Sequence, residues 1–195
     1  MEIKSIDGRV LLQVDCEDLV GANLAGAVLD NANLPEGDLH RANLAGALLN
    51  WANLAGADLH RAYLARAELS EANLSKANLY KAILFEAYLE EADLPGADLT
   101  EADLIGANLV GADLNGANLT RAELDGAQLG AAMLVNANLV GASLYGADLT
   151  GADLTDANLT GADLTNTTLV KTFLGGVKSA DAKLPDDDAY SIFKS

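Results

Sequence analysis

The hydrophobic positions of this chain recur with a period of five residues, which is the period of neither a helix nor a strand. Every fifth residue from Leu19 to Leu174 is leucine, at 32 positions without an exception. The residue two places before each leucine is alanine from Ala22 to Ala162, except at Gly37. The repeating unit is therefore A-(N/D)-L-x-x, and it extends through about four-fifths of the chain.

A spacing of five residues is incompatible with an amphipathic helix and with a flat strand. Five residues advance a helix by about 500°, so successive leucines would spiral around it without forming a stripe. Side chains of a flat strand alternate between faces, so an odd spacing would reverse the direction of each leucine. A membrane helix needs about 20 consecutive apolar residues, which this sequence does not contain. A unit this short must bury its leucine by stacking on copies of itself.

The pattern predicts a squared solenoid in which each unit forms one side and one turn. Leucine points inward from the middle of a side, alanine fills the space near the corner, and the other three positions point outward. Four sides close one coil of 20 residues, and backbone groups pair between coils at the sheet spacing of about 4.8 Å. Residues 17–176 would then form about eight coils and a rod of about 38 Å.

The two ends depart from the repeat and are predicted to cap it, because an open solenoid exposes a strand edge. Residues 1–16 are predicted to form a β-hairpin around the turn pair Asp7-Gly8. Residues 177–195 are predicted to form a second cap, in which Pro185 and three aspartates precede a short helix. The apolar residues of that helix would cover the last coil or, alternatively, meet the same residues of a second subunit; they are Tyr190, Ile192 and Phe193.

Units such as ADLTG, ANLVG and ADLIG resemble the repeats of the pentapeptide-repeat family, and the resemblance covers residues 17–176. It implies an all-β fold, a right-handed four-sided parallel β-helix, in agreement with the geometry argued from the leucine spacing. It implies function only in outline. The understood members include proteins that mimic DNA and bind type II topoisomerases, and cyanobacterial regulators that act through protein contacts.

The charge of the chain restricts its partners. Its 29 acidic and 12 basic side chains give a net charge of −17, which argues against direct binding to nucleic acid or to anionic membranes. Residues 1–9 lack the apolar core of a signal peptide, so we expect a cytoplasmic protein. Cys16 is the only cysteine and forms no internal disulfide; we interpret it as a buried residue of the N-terminal cap.

Several large apolar residues stand at outward positions or turns where the repeat normally has small or polar residues. Outward residues 20 apart are stacked neighbours in a four-sided solenoid, so these side chains are predicted to cluster in coils two to five. Such a patch indicates a contact surface for another protein; alternatively, the side chains stiffen the sheet by packing on each other. Acidic residues beside it, such as Glu68 and Glu90, suit a basic partner. The predicted interaction patch consists of Leu48, Trp51, Tyr63, Ile83, Phe85, Tyr88 and Ile105.

A basic ladder interrupts the acidic surface along one column of the rod. A neighbouring column contains Asp38, Asp58 and Asp98, and the two columns are predicted to form a solvated lattice of ion pairs. Surface pairs of this kind contribute about 0–1 kcal/mol each. The ladder consists of Arg41, Arg61, Lys81 and Arg121, and it is interrupted by Glu101.

The two histidines are predicted to stand in neighbouring coils. His40 and His60 follow Asp38 and Asp58 at a distance of two residues. Two imidazoles and a carboxylate can bind a metal, but stacked surface histidines are more often simply tolerated, so the sequence predicts no metal site. It also contains no cofactor motif and no catalytic constellation, and a filled solenoid has no cleft. We therefore predict no cofactor, no catalytic residues and no enzyme.

Two functions are compatible with these features. The first is an interaction or regulatory module that presents the apolar and acidic patch to a partner protein. The second is a DNA mimic that binds a type II topoisomerase such as gyrase. Residues 19–174 carry 20 acidic and seven basic residues, which is about one net charge per 3 Å of rod against one per about 1.7 Å of duplex DNA. The lower density and the basic ladder make the mimic the second choice.

Overall fold

The computed structural model describes residues 1–15 and 17–185, and two regular strands precede the repeat. Strand β1 (Glu2–Lys4) pairs antiparallel with strand β2 (Val10–Gln13), with one irregularity in the register. Asp7 and Gly8 lie in the turn between them, and Gly8 has a φ of 86°, a conformation that glycine adopts without steric cost. The pair is the hairpin expected from the turn sequence at this end of the chain.

The repeat forms a four-sided solenoid whose coils contain 20 residues. Each side contributes one residue to a parallel bridge with the residue 20 positions on, as Asp58 does with Asn78. Leu59 donates its N–H to the carbonyl of Asn78 at 2.8 Å, and Asn78 donates its N–H to the carbonyl of Ala57 at 2.9 Å. Such bonds recur on all four sides. The backbone N–H and C=O groups of each interior coil therefore form hydrogen bonds with the coils on either side of it.

Leucine and alanine fill the interior of the solenoid. Leu59, Leu79 and Leu99 form one inward column and are completely buried, and the alanines beside them, such as Ala57 and Ala77, are buried as well. Burying a leucine stabilises the fold by about 1.5–3 kcal/mol, and the ordering of the chain opposes this gain. Because the interior is filled with side chains, any binding function has to use outward positions.

The corner after each leucine is a tight turn closed by a backbone hydrogen bond, such as that from Ala62 N–H to the Leu59 carbonyl at 2.9 Å. The third residue of the turn has a positive φ, as a type II turn requires. Glycine suits this position, but the fold also places larger residues there, including Trp51 at 59° and Glu101 at 55°. Their side chains point away from the core, so the corners carry surface chemistry.

The hairpin covers part of the N-terminal end of the solenoid. Ser5 forms an antiparallel bridge with Ala32, and Ile6 donates its N–H to the carbonyl of Asn31 at 2.8 Å. Ile3 is completely buried and belongs to the same core cluster as the leucines. This arrangement closes one side of an edge that would otherwise be open to pairing with another strand.

The solenoid continues beyond residue 176, where the end of the leucine register predicts that it stops. Lys178 forms a parallel bridge with Asn158, and Lys183 forms one with Asp163. The predicted boundary of the C-terminal cap at residue 177 is therefore wrong. Ser179 at a leucine position does not end the coil, because backbone groups form the hydrogen bonds between coils and do not depend on that side chain.

Several residues with predicted roles lie outside the described residues, among them the three aspartates that follow Pro185. The others are Cys16 of the N-terminal cap and Tyr190, Ile192 and Phe193 of the C-terminal helix, so that helix and the dimer contact remain predictions. In the part of the chain that is described, no helix is long and apolar enough to span a membrane.

Candidate functional site

Four of the seven predicted patch residues form one continuous apolar surface. Tyr63 and Ile83 form a parallel bridge on one side of the rod, and Phe85 and Ile105 occupy successive coils on the same side, two positions further along the chain. Tyr63 is 44% exposed and Ile83 is 37% exposed, whereas Phe85 and Ile105 are half-buried. We call these four residues the apolar face.

A groove of about 430 Å³ opens in the apolar face. Ala45 and Ala65 precede Phe85 in the same column of the rod, so the bulk of Phe85 ends a channel whose floor consists of small residues. Tyr63 and Arg66 stand on either side of Ala65. A concave surface of this kind can hold an apolar side chain of a partner. The groove is lined by Ala45, Gly46, Tyr63, Ala65, Arg66 and Phe85.

The small groove residues give a much weaker signal in the sequence than the aromatic ones. Ala45 and Ala65 are ordinary members of an alanine-rich repeat, and Gly46 and Arg66 are ordinary corner residues. The signal lies in the column of residues spaced 20 apart, in which Phe85 follows Ala45 and Ala65. A step from small to large residues along one column leaves a depression, and this could have been found by comparing successive coils.

An ion pair borders the groove and lies at the corner between two sides of the rod. Arg66 Nε lies 2.7 Å from Glu86 Oε2 at the corner. The hydrogen bond from Arg66 to Glu86 raises the pKa of the guanidinium. Both side chains are largely exposed, so the pair contributes little to stability. Its main consequence is a charged rim beside the apolar floor.

The other three predicted patch residues do not join the apolar face. Leu48 pairs with Val28 on the neighbouring side of the rod, and Glu68 separates Leu48 from Tyr88 in the next coils. Trp51 is 49% exposed and lies at the far corner of that side. The stacking of coils thus places a carboxylate between Leu48 and Tyr88, and the assignment of all seven residues to one interaction patch remains a prediction.

The basic ladder follows the other edge of the apolar face, because its corner residues directly precede that side in each coil. Lys81 Nζ lies 3.1 Å from Glu101, and Arg121 lies 3.4 Å from the same carboxylate. Hydrogen bonds to Tyr80 and Glu101 raise the pKa of Lys81. Arg41 and Arg61 form no ion pair with any of the described residues. Two cationic side chains are thus available to an acidic group of a partner.

Asp38 and Asp58 of the neighbouring column pair with histidines, and Asp98 pairs with Thr100, so none of the three pairs with the ladder. His40 Nδ1 lies 2.7 Å from Asp38 Oδ1, and His60 Nδ1 lies 2.9 Å from Asp58 Oδ1. The hydrogen bond from His40 lowers the pKa of the Asp38 carboxyl. The predicted lattice of aspartates and ladder cations is therefore wrong, because each of these aspartates bonds to the residue two positions on.

A larger cavity, of about 550 Å³, lies between the hairpin and the first coil. Its walls include Leu12 and Val14 of the hairpin segment and Val20 and Leu24 of the first coil. It results from partial capping, because the hairpin pairs with the side that contains Ala32 and leaves the adjoining sides of the first coil uncovered. We therefore attribute it to the end of the solenoid and not to a ligand site.

Comparisons with known proteins agree with the repeat and the fold. The profile of a family described as pentapeptide repeats matches with eight copies, in residues 18–50, 42–80, 82–121, 122–161 and 157–178. HetL, a pentapeptide repeat protein involved in heterocyst differentiation regulation, comes from the cyanobacterium Nostoc sp. strain PCC 7120. Its structure is 34% identical to the chain, with a TM-score of 0.56, and the match covers 87% of this chain and 93% of HetL.

A second solved structure bears on the fold alone. It is a trypsin-treated variant of QnrB1, a plasmid-mediated fluoroquinolone resistance protein, with 23% identity, a TM-score of 0.54 and coverage of 92% of this chain and 90% of that one. HetL and QnrB1 form right-handed four-sided β-helices, which confirms the predicted fold class. No match indicates a catalytic family. A search of curated protein sequences gave no match.

Proposed function

We propose that this chain, which belongs to the pentapeptide-repeat family, is a non-enzymatic regulatory module that binds a partner protein through the groove in its apolar face. The observation that carries the proposal is the step from Ala45 and Ala65 to Phe85, which creates a concave apolar surface on this side of the rod. The role of HetL in the regulation of heterocyst differentiation supports a regulatory function for a chain of this similarity.

The exposed residues of the apolar face have no evident role in holding the rod together. Tyr63 and Ile83 occupy the position before the inward leucine, where most other units carry asparagine or aspartate. The backbone bonds and the buried leucines on either side are the same in those units. Aromatic side chains that are exposed in a free protein often dominate binding energy, at about 2 kcal/mol or more each when truncated.

The rim of the groove indicates the chemistry of the partner. Arg61 and Arg66 flank Tyr63 in the chain, and Arg61 is free of ion pairs with the described residues. A segment that places an apolar side chain on the alanine floor and a carboxylate next to Arg61 would satisfy both surfaces. The basic partner suggested by Glu68 and Glu90 suits the neighbouring side of the rod better than it suits the groove.

Mimicry of DNA finds less support as an alternative. A mimic of a polyanion requires a continuous anionic face along the rod, whereas the apolar face and the ladder occupy one side and one corner between residues 41 and 121. QnrB1 is too distant in sequence to transfer more than its fold. Binding of this chain to purified gyrase would nevertheless be a direct measurement of the alternative.

The proposal can be tested with a double variant and a matched control. Tyr63→Ser together with Phe85→Ser removes the aromatic groups that border the groove. Tyr145→Ser is the control, because Tyr145 is 50% exposed and occupies the same column as Phe85 three coils further on. Proteins captured by the wild type, the double variant and the control from an extract of the source cells would be compared quantitatively, and each captured candidate would be measured in purified form.

We expect a partner of the groove to bind the wild type and Tyr145→Ser with the same affinity. Its affinity for the double variant should be at least tenfold lower. The same criterion applies to self-association measured by sedimentation, which is the outcome expected if the partner is a second copy. If every captured protein binds the three chains equally, the groove has no binding function.

A further inference from the structure

A second cluster of functional groups lies outside the groove, on the side of the rod that precedes the basic ladder. Asp38 and His40 flank the inward Leu39, and Asp58 and His60 occupy the same positions one coil further on. Their imidazole rings are stacked, with centroids 4.8 Å apart and planes within 6° of parallel. Stacking of coils has thus placed two equivalent aspartate–histidine pairs directly beside each other.

The donor atoms of this cluster converge on one region of the surface. A ring nitrogen of His40, a ring nitrogen of His60 and a carboxylate oxygen of Asp58 all lie within 4.8 Å of one another. The Nδ1 atoms are the nitrogens that face the carboxylates. In the described residues, every hydrogen bond to the side chain of Asp58 ends on Oδ1, so Oδ2 keeps its lone pairs.

We propose that His40, His60 and Asp58 bind a divalent transition-metal ion of the zinc class. Two imidazoles and carboxylates form a donor set that suits zinc and copper and differs from the all-oxygen sets of calcium and magnesium. The proposal concerns a different side of the rod from the groove and is independent of the proposed function.

The geometry requires a modest contraction of the cluster. Zinc binds nitrogen at about 2.0–2.1 Å, so the donors of a tetrahedral site lie about 3.3 Å apart. The donor atoms, which now lie within 4.8 Å of one another, have to approach by up to about 1.5 Å. Side-chain rotations that turn the ring nitrogens toward one point can supply this, because the side chains of the cluster are partly exposed at 27–55%. Each imidazole binds through Nδ1 as the neutral tautomer, so the proton that Nδ1 donated to the carboxylate moves to Nε2, which faces away from the carboxylates.

Neighbouring groups limit the cluster to one ion. Tyr80 follows His60 in the column and Val20 precedes His40, so neither adjoining coil offers another imidazole. Arg41 and Arg61 at the adjacent corner weaken the attraction for a cation, and the two carboxylates counteract them. Asn78 donates a hydrogen bond to Asp58 Oδ1 at 2.9 Å, which holds this carboxylate in place.

The test uses the full chain with Cys16→Ser, because a thiol is itself a zinc ligand. Zinc is titrated into this protein at neutral pH and followed by calorimetry. We expect one ion per chain, and a loss of at least about tenfold in affinity for His40→Asn, for His60→Asn and for Asp58→Asn. Asp98→Asn is the matched control, since Asp98 occupies the same column two coils beyond Asp58 and bonds to Thr100; it should bind zinc like the parent.

His40 and His60 are the only two histidines of the chain, so any histidine-dependent binding of zinc is binding to this pair. Thermal melting of each variant without metal shows whether it is folded, and zinc should raise the melting temperature of the parent but not of His40→Asn. A hundredfold excess of magnesium should not displace zinc. The proposal is overturned if the variant lacking both histidines binds zinc as tightly as the parent, or if the parent shows no saturable binding.

Discussion

Ala131 and Ala132 are neighbours in the chain but occupy opposite environments. Ala131 is an exposed corner residue with a φ of 55°, whereas Ala132 is completely buried and lies outside the left-handed region. The left-handed conformation costs a residue with a Cβ about 1–2 kcal/mol. Alanine therefore has a strained backbone conformation at position 131, whereas at position 132 its methyl group suits the buried environment.

Glycine should therefore have opposite effects at these two positions. Ala131→Gly relieves the strain and should stabilise the protein by about 0.5–1 kcal/mol, after the larger entropy of glycine in the unfolded chain is subtracted. Ala132→Gly removes a buried methyl group and adds the same entropy, and should destabilise by about 1–2 kcal/mol. Denaturant unfolding of both variants measures the difference. Equal effects of the two changes would contradict the conformation assigned to the corner.

Gly37 is the single exception in the alanine column, and its replacement by alanine should be neutral or stabilising by up to about 1 kcal/mol. Gly37 is not in the left-handed region, and a Cβ there would lie 3.0 Å from the carbonyl oxygen of Leu34. Alanine closes the same turn with the same backbone bond in other coils, as from Ala57 N–H to the Leu54 carbonyl at 3.0 Å, so we expect the turn at Gly37 to accommodate the added Cβ.

The control for Gly37→Ala is Ala57→Gly, at the same position one coil further on. It should lower the melting temperature because it removes a buried methyl group. If Gly37→Ala also melts below the wild type, the backbone near Pro35 differs from that of the other corners.

Loss of the aromatic groups at the groove should leave the stability of the rod nearly unchanged. Tyr63→Ser and Phe85→Ser are surface changes, which usually alter stability within about 0.5 kcal/mol each. Leu84→Ala lies between them in the chain and should cost about 2–5 kcal/mol, because Leu84 is completely buried. Thermal and urea unfolding compare the three variants. A loss as large as that of Leu84→Ala would show that the apolar face is structural packing.

The ion pair between Lys183 and Asp163 should stabilise the last coil only above acid pH. Lys183 Nζ lies 2.7 Å from Asp163 Oδ2, and this bond, with that from Thr165, lowers the pKa of Asp163 from 3.8 to about 2. A carboxyl whose pKa is lower in the folded state stabilises the fold above its unfolded pKa. That contribution is lost as the pH falls from about 4 to 2.

Lys183→Met should therefore lower the free energy of unfolding at pH 7 by at most about 1 kcal/mol, since the pair lies at the surface. The difference from the wild type should shrink between pH 4 and 2. Lys178→Met is the control, because Lys178 bridges Asn158, which has no charge to lose. A difference that is constant from pH 7 to pH 2 would assign the effect of Lys183 to packing and not to charge.

The leucine spacing was sufficient to predict the coil, because the fold is a direct consequence of a side-chain period. Leu59, Leu79 and Leu99 share one buried column because they are 20 residues apart, which is the length of one coil. The C-terminal limit could not be obtained in this way. Lys178 and Lys183 continue the parallel bridges after leucine is lost, because the backbone can pair where the side-chain pattern no longer requires it.

The sequence by itself determined which residues face outward and which stand 20 apart, since both follow from the unit of five and the four-sided coil. Only the tertiary structure decided how the outward side chains divide into sites. It separated Leu48 from Tyr88 by Glu68, made a groove from the small residues before Phe85, and turned Asp58 toward His60 and away from the ladder. The physical reason is that periodicity fixes the direction of a side chain, whereas contacts depend on its size, its rotamer and the partner within hydrogen-bond distance.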